Sequence, residues 1–361
     1  MNILVTGASG FIGSFICEEA LRRNMNVWAG IRSRSSKKYL QDKRLHFATL
    51  DMARPDVLVG QLRELKEEVG RWDVIIHAGG ATKCLHSDDF YKNNFECTRN
   101  FVEALKQLDI VPAQFLYISS LSVQGACRET PVSPHAVAIP EGICADKAFI
   151  DRYTVTESVY QPILATDTPQ PNTAYGKSKV MSEQYLAKSG INYTIFRPTG
   201  VYGPREKDYF LMAQSIKQHF DSAVGFKPQE ITFVYVRDLV NAILAAIGRD
   251  VNGKTYSVSD GFVYNSRAFS DLLQKEMGTR GVLHVTFPVW FLKVVCTLSE
   301  TISHITGKMS ALNRDKYNIL RQRNWQCDIT PLMHDLDFVP EWNLERGVKE
   351  AIQWYRQEGW L

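Results

Sequence analysis

Short apolar runs alternate with amphipathic stretches along the first two hundred residues of the chain. Asn2 to Thr6 is an apolar run closed by Gly7, as a strand buried on both faces would be. Helical periodicity follows from Phe11 to Arg23. Val27–Ile31 and Leu45–Leu50 then read as strands, and Pro55 to Val69 as an amphipathic helix with proline at its start. Asp73–Ile76 is a fourth strand, stopping at His77-Ala78-Gly79-Gly80. A long helix is expected over 88–108, a fifth strand over Gln114–Ile118 ending in Ser119-Ser120, and a sixth over Tyr193–Phe196 ending at Arg197-Pro198. The repeat is β-α-β-α with buried strands. It predicts an α/β fold: a Rossmann-type, doubly wound parallel sheet, with ligands at the C-terminal ends of its strands.

Beyond residue 198 the repeat loosens. Asp238–Ile247 reads as a helix and Lys254–Val258 as a returning strand. A final helix lines Val348, Ala351, Ile352 and Tyr355 on one face. These patterns divide the chain into a dinucleotide-binding domain, 1–198 plus about 231–261, and a smaller mixed lobe for substrate, about 199–230 plus 262–361. The connection from 126 to 173 is long for a compact domain. Its part near 130–160, with Pro131, Pro134, Pro140 and a helix-like run from Cys144 to Val159, reads as an insertion. Tethered between Ser120 and Tyr175, it is expected to act as a lid over an apolar substrate; the blander alternative is a helix packed on the second lobe.

With 45% hydrophobic and 22% charged residues the 361-residue chain has ample material for a core. A net charge of +3, without a run of basic residues, gives no reason to expect nucleic acid. Seven cysteines without a C-x-x-C pair point away from a disulfide framework or zinc site and toward a reducing, cytoplasmic compartment. No signal peptide is expected at the N-terminus. The most apolar window, Val285–Val295, is too short to span a bilayer and reads as a buried or surface-docking helix.

The chemistry concentrates at the strand ends. Gly7-Ala8-Ser9-Gly10-Phe11-Ile12-Gly13 follows a strand and opens a helix. Gly7 permits the turn, Gly10 admits a pyrophosphate, and Gly13 allows close helix–strand packing. After the second strand, where an acid would hold a ribose 2′-hydroxyl, the chain has Arg32, Arg34, Lys37 and Lys38 with three serines. These suit a 2′-phosphate, so NADP is expected over NAD. Asp51, with Met52 beside it, could accept from an adenine amino group; a capping role near Arg54-Pro55 is the alternative. Tyr175 and Lys179 lie four residues apart on one helical face. A fixed positive charge there is expected to lower the phenol's pKa and make it a proton-transfer group. Tyr39 and Lys43 share that spacing with nothing around them, so the spacing alone is weak. His77 reads as a structural turn residue, and no set of residues has metal-ligand spacing.

Together these motifs resemble the extended short-chain dehydrogenase/reductase family, which includes nucleotide-sugar epimerases and dehydratases. Thr6-Gly7-x-x-Gly10-x-x-Gly13 resembles its cofactor turn, and His77-Ala78-Gly79-Gly80 its fourth-strand signature. Asn94 stands where the family carries a helix asparagine, with Cys97 replacing a glycine. Ser119-Ser120-Leu121-Ser122-Val123-Gln124-Gly125 resembles the segment that bears the catalytic serine or threonine, which counts back to Ser120. Gln124 departs from the usual tyrosine. Arg197-Pro198-Thr199-Gly200-Val201-Tyr202-Gly203-Pro204 matches the loop beside the nicotinamide. His77 to Lys83, the Ser-Ser-Leu segment and the terminal Trp354-Tyr355 and Gly359-Trp360-Leu361 are most similar to reductases related to 3β-hydroxysteroid dehydrogenases and dihydroflavonol reductases.

The resemblance implies Ser120, Tyr175, Lys179 and Asn94 as catalytic residues. It implies a cofactor site of Thr6, Gly7, Ser9, Gly10, Phe11, Ile12, Gly13, Arg32, Arg34, Asp51, Met52, Ala78, Gly79, Tyr175, Lys179, Pro198 and Val201. The expected activity is NADP(H)-dependent hydride transfer at a secondary alcohol or ketone of a small, apolar substrate. A nucleotide-sugar epimerase or dehydratase using the same residues is the alternative, and a catalytically silent NADP-binding regulator a third. A homodimer through helices near 88–108 and 174–189 is also implied.

Overall fold

A computed structural model describes residues 1–139, 145–306 and 313–361. The chain divides into two compact units: residues 1–123, 174–197 and 240–256 form the first, and residues 124–173, 198–239 and 257–361 the second.

The first unit is built on a seven-stranded sheet. Strands β1 (Asn2–Thr6), β2 (Asn26–Ile31), β3 (His46–Thr49), β4 (Val74–His77) and β5 (Gln114–Ile118) are joined by Tyr193–Pro198 and, at the edge, Thr255–Val258. The order runs Thr255–Val258, Tyr193–Pro198, β5, β4, β1, β2, β3, and the pairings from Tyr193–Pro198 through to β3 are parallel. The direction of winding reverses at β1 and β4, the position where doubly wound sheets bind ligands. Register aligns Thr6 with Gly30 on one side and His77 on the other, and His77 with Tyr117. The strand ends therefore present their following loops side by side.

Alternation along the strands separates two apolar faces. Leu4, Trp28, Ile75, Phe115 and Tyr117 form one core with Leu58 and Leu62 of helix Pro55–Val69 and Phe101, Val102 and Leu105 of helix Cys97–Gln107. Ile3, Val5, Ile76 and Leu116 alternate with them and are fully buried too. The central strands β1, β4 and β5 are apolar at nearly every position because both of their faces are covered, whereas β3 at the sheet edge is largely exposed.

The helix expected over 88–108 is three segments: α-helix Ser87–Phe90, a π-helical stretch Tyr91–Glu96, and α-helix Cys97–Gln107. The wider turn holds Asn94, a point taken up below.

The second unit consists of two-stranded sheets and helices around an aromatic core. Tyr202, Phe233, Tyr264 and Phe269 meet edge-on or tilted at 5.2–6.2 Å. The terminal helix Leu344–Gln357 buries Val348, Ala351, Ile352 and Tyr355, as its periodicity indicates. The window Val285–Val295 is split by Pro288 into strand Leu283–Phe287 and the start of helix Val289–Thr306. No helix of the described residues is long and apolar enough to cross a membrane.

Besides 199–230 and 262–361, which the patterning gives to the smaller lobe, the second compact unit takes in 124–173, 198, 231–239 and 257–261, which the patterning gives to the dinucleotide domain. The described part of the stretch near 130–160 packs within the second unit, as the blander reading of it expects. Its helix is Lys147–Tyr153, capped by Asp146, whose carboxylate accepts from the Phe149 amide at 2.7 Å. Phe149, Tyr153 and Tyr160 are buried. Phe149 packs against Phe262 and Tyr264 at 5.9 and 6.2 Å, and the Val155 amide donates to the Val263 carbonyl. These side chains are part of the unit's own core. Pro140 and Cys144 lie outside the described residues.

Candidate active site

The turn after β1 is shaped by close backbone approach. Gly7 has φ of +67°, and a Cβ there would lie 2.8 Å from the Ala78 carbonyl and from Gly79. A Cβ on Gly13 would meet the Gly7 carbonyl at 2.2 Å. Glycine is required at both positions. Helix Phe11–Arg22 then begins at Gly10 without a side-chain cap. The Gly10 amide is taken by the Gly7 carbonyl and the Ser14 amide by Gly10. The amides of Phe11, Ile12 and Gly13 have no acceptor among the described residues, and Ser9 flanks them in the turn. Oriented, free N–H groups at a helix start suit an anion, and only glycine leaves room for a backbone-close ligand. The chain's residues therefore fit a dinucleotide pyrophosphate.

Past β2, Arg32 and Arg34 are exposed and have no acidic partner among the described residues. The Arg32 amide donates to Ser35 Oγ at 3.1 Å. Lys37 and Lys38 are engaged elsewhere, over the Phe47 and Tyr39 rings at 3.8 and 5.2 Å. Asp51 is held by Arg54, whose Nε donates to Oδ2 at 2.7 Å, and the Met52 carbonyl accepts from Asn100 Nδ2 at 3.0 Å. Arg54 itself, not Asp51, occupies the cap position of the next helix.

Helix Ala174–Lys188 carries Tyr175 and Lys179. Tyr175 is half-buried, its ring edge-on to Phe90 at 5.9 Å. Burial raises its pKa to about 12, opposed by a hydrogen bond with the Ser120 hydroxyl. Lys179 is 5% exposed. Its ammonium donates to the Ile118 carbonyl at 2.8 Å and lies 4.8 Å over the Tyr117 ring. Burial lowers its pKa to about 8, against the opposing charge of Glu183. The expected depression of the phenol by the lysine is thus corrected: desolvation outweighs any effect of the ammonium, and the bond to Ser120 is what favours the phenolate.

Of the two serines closing β5, Ser120 faces the phenol. Ser119 turns into the protein and donates to Glu183 Oε1 at 2.5 Å. Glu183, one turn past Lys179, also takes both Nε (3.0 Å) and Nη2 (2.6 Å) of Arg197, with both side chains 6% exposed. The pattern of the sequence did not single out Glu183; its spacing of four from Lys179 was the available signal.

Asn94 is fixed by four bonds. Its Oδ1 accepts from the Ala81 amide at 2.7 Å, its Nδ2 donates to the Ala81 carbonyl and to Ser178 Oγ, and its carbonyl accepts from Thr98 Oγ1 at 2.7 Å. A Cβ on Gly80 would lie 3.0 Å from Asn94 Oδ1 and 3.4 Å from Lys179 Nζ, so this glycine lets the loop after β4 run between them. The bond from Thr98 orders a chain behind it. Having donated its proton, Thr98 accepts from His77 Nε2 at 3.0 Å. His77 Nδ1 then accepts from Thr6 Oγ1 at 2.7 Å, and Thr6 Oγ1 accepts from the Gly79 amide. Burial keeps His77 neutral, with a pKa lowered to about 3. It is a linking residue in the core rather than a turn residue.

Pro198 ends its strand, and Val201 lies in the short strand Gly200–Tyr202, paired with Phe233–Tyr235; both belong to the second unit. Gln124, where the resemblance calls for tyrosine, is fully buried in that unit and donates to the Leu164 carbonyl at 2.9 Å.

A family model for NAD-dependent epimerases/dehydratases matches residues 3–143 and 152–259. The chain belongs to that family. It is an enzyme of the extended short-chain dehydrogenase/reductase type. An uncharacterized UDP-glucose epimerase of Bacillus subtilis is 26% identical, over 79% of this chain and 84% of its own. A decarboxylating sterol-4-alpha-carboxylate 3-dehydrogenase of Dictyostelium discoideum is 24% identical, over 82% and 85%. In structure, UDP-glucuronic acid 4-epimerase from Bacillus cereus, solved with NAD, superposes with a TM-score of 0.70 at 18% identity, covering 99% of each chain. That likeness shows the same α/β fold.

Proposed function

We propose that this enzyme transfers a hydride between NADP(H) and a secondary alcohol or ketone carbon. The observation that carries the reading is the Ser120–Tyr175 hydrogen bond with Lys179 one turn away, all in the unit that bears the glycine turn. The amides of Phe11, Ile12 and Gly13 would hold the pyrophosphate, Arg32 and Arg34 the 2′-phosphate, Ala78 and Gly79 the adjoining wall, and Lys179 the nicotinamide ribose. The bound nicotinamide supplies or accepts the hydride.

Tyr175, whose raised pKa keeps it protonated, gives its proton to a forming alkoxide, and in reverse takes the proton of an alcohol. Ser120 holds the reacting oxygen and steadies the phenolate. Lys179, still largely charged below pH 8, offsets the negative charge that develops. Asn94 keeps the Ala81 backbone and Ser178 in register beneath it. The preference for NADP rests on the two unpartnered arginines and the missing acid after β2.

For the substrate, an apolar alcohol is supported by the sterol dehydrogenase relative and the motif resemblance to hydroxysteroid and flavonol reductases. A sugar-nucleotide substrate, with the hydride returned within one turnover, is the second reading; the UDP-glucose epimerase relative favours it. Incubation with NADP⁺ or NAD⁺ and panels of 3β-hydroxysteroids, flavanols and UDP-sugars separates them. Accumulation of reduced cofactor with an apolar alcohol supports net oxidation. A changed sugar without reduced cofactor supports epimerisation, and the absence of both products overturns the proposed chemistry. We place the enzyme in a reducing cytoplasm. We also propose a homodimer through the exposed Tyr91 and Met181 faces of helices near 88–108 and 174–189; a monomeric mass by light scattering would remove it.

A further inference from the structure

Helix Val289–Thr306 in the second unit has two apolar sides. Leu292 and Cys296, one turn apart, are buried and hold it to its own unit, where it packs on helix Arg314–Arg321. On another side Trp290, Val294 and Leu298 recur every four residues and so form a ridge. They are 68%, 49% and 58% exposed. Phe226, 76% exposed, reaches the same end: the amide of Gly225 donates to the Phe287 carbonyl at 2.8 Å, and Phe287 stacks on Phe291 at 5.1 Å, next to Trp290. Single exposed apolar residues are ordinary, but a contiguous group marks an interaction surface.

The charges around the ridge select its partner. Residues 281–299 and 222–229 contain no acid, and their only lysines or arginines are Lys293 and Lys227. Both are exposed, and neither forms an ion pair among the described residues. The first acid on the helix, Glu300, is engaged by Arg314 at 3.4 Å. A second copy of this face would bring like charges together, which disfavours self-association. An anionic lipid surface takes both features: tryptophan and aliphatic side chains enter the boundary between headgroups and acyl chains, and the lysines meet phosphates. We infer that this face docks the enzyme on an anionic lipid surface, with the helix lying in the plane of the membrane. The inference is independent of the catalytic reading.

Co-sedimentation of the full chain with vesicles of phosphatidylcholine, with and without phosphatidylserine, tests it. The wild type is expected on the anionic vesicles, released by salt. The variant Trp290→Ser/Val294→Ser/Leu298→Ser, whose changes all lie on the exposed side, should bind about tenfold more weakly or worse. Lys227→Gln/Lys293→Gln, which leaves the apolar ridge and the fold intact, should lose roughly fivefold per lysine, on anionic vesicles only. Wild-type chain that stays in solution with both vesicle types overturns the inference. So does equal binding by all three proteins, or a light-scattering mass that falls in the triple-serine variant while vesicles are ignored, since that would mark a contact between copies.

Discussion

Replacing Lys179 by methionine tests how the buried ammonium is held. The side chain is 5% exposed, and burial lowers its pKa from 10.5 to about 8. At about 1.4 kcal/mol for each pH unit, the folded protein binds that proton about 3 kcal/mol less tightly than the unfolded chain. The direction follows from proton counts. Between pH 8 and 10.5 the unfolded chain carries the proton and the folded chain has begun to release it, so the group's contribution to stability rises with pH across that window. Below pH 8 the whole cost is present. Methionine keeps the unbranched stem without the charge. It leaves the Ile118 carbonyl without its 2.8 Å donor, a loss of about 1–3 kcal/mol. Glu183 retains Arg197 and Ser119, so no orphaned carboxylate is created. The variant should therefore range from equal stability to about 2 kcal/mol more stable below pH 8. Its advantage should decline by about 3 kcal/mol as pH rises to 10.5. Urea unfolding of both proteins across this range measures the difference, in which other titrating groups largely cancel. Parallel stability–pH curves would refute the argument, because they would mean that Lys179 titrates alike folded and unfolded.

Tyr175→Phe keeps the ring against Phe90 but removes the proton donor; turnover should fall by roughly 10²–10⁴ with NADPH affinity, measured by fluorescence titration, nearly unchanged. Near-full activity would disqualify the phenol. Arg32→Ala/Arg34→Ala should weaken NADPH at least tenfold more than NADH, given about 1.5–3 kcal/mol for each charge-assisted bond; equal losses in calorimetry would make the pair an ordinary solvated loop. Shortening 132–158 to a brief polar loop should cost the second unit its cooperative unfolding transition, since Phe149 and Tyr153 leave its core. A folded deletion variant with an unchanged melt would reinstate a peripheral role for the segment.

The sequence alone determined the sheet of the first unit, the turn after β1 and the placing of Tyr175 and Lys179 on one helix, while Ser120 came from the resemblance of its segment to a family motif. In each of the first three the information is local: largely apolar runs require strands covered on both faces, Gly7 and Gly13 answer to a turn of a few residues, and Tyr175 and Lys179 share a helix face by spacing. The terminal helix was legible for the same reason, because its periodicity alone reports which side is buried. Tertiary structure decided what depends on partners distant in the chain. Ser119 and Glu183 are 64 residues apart, and their bond is what separates Ser119 from its neighbour Ser120. Asn94 meets Ser178 across 84 residues, through a π-helical turn that no periodicity announces. The segment 124–173 joins the second unit because its aromatic side chains find Phe262 and Tyr264, a match invisible in either stretch alone. The phenol's pKa shifts upward rather than downward on the same ground: spacing reveals the neighbouring ammonium, but the desolvation that outweighs it is set by how every surrounding element packs.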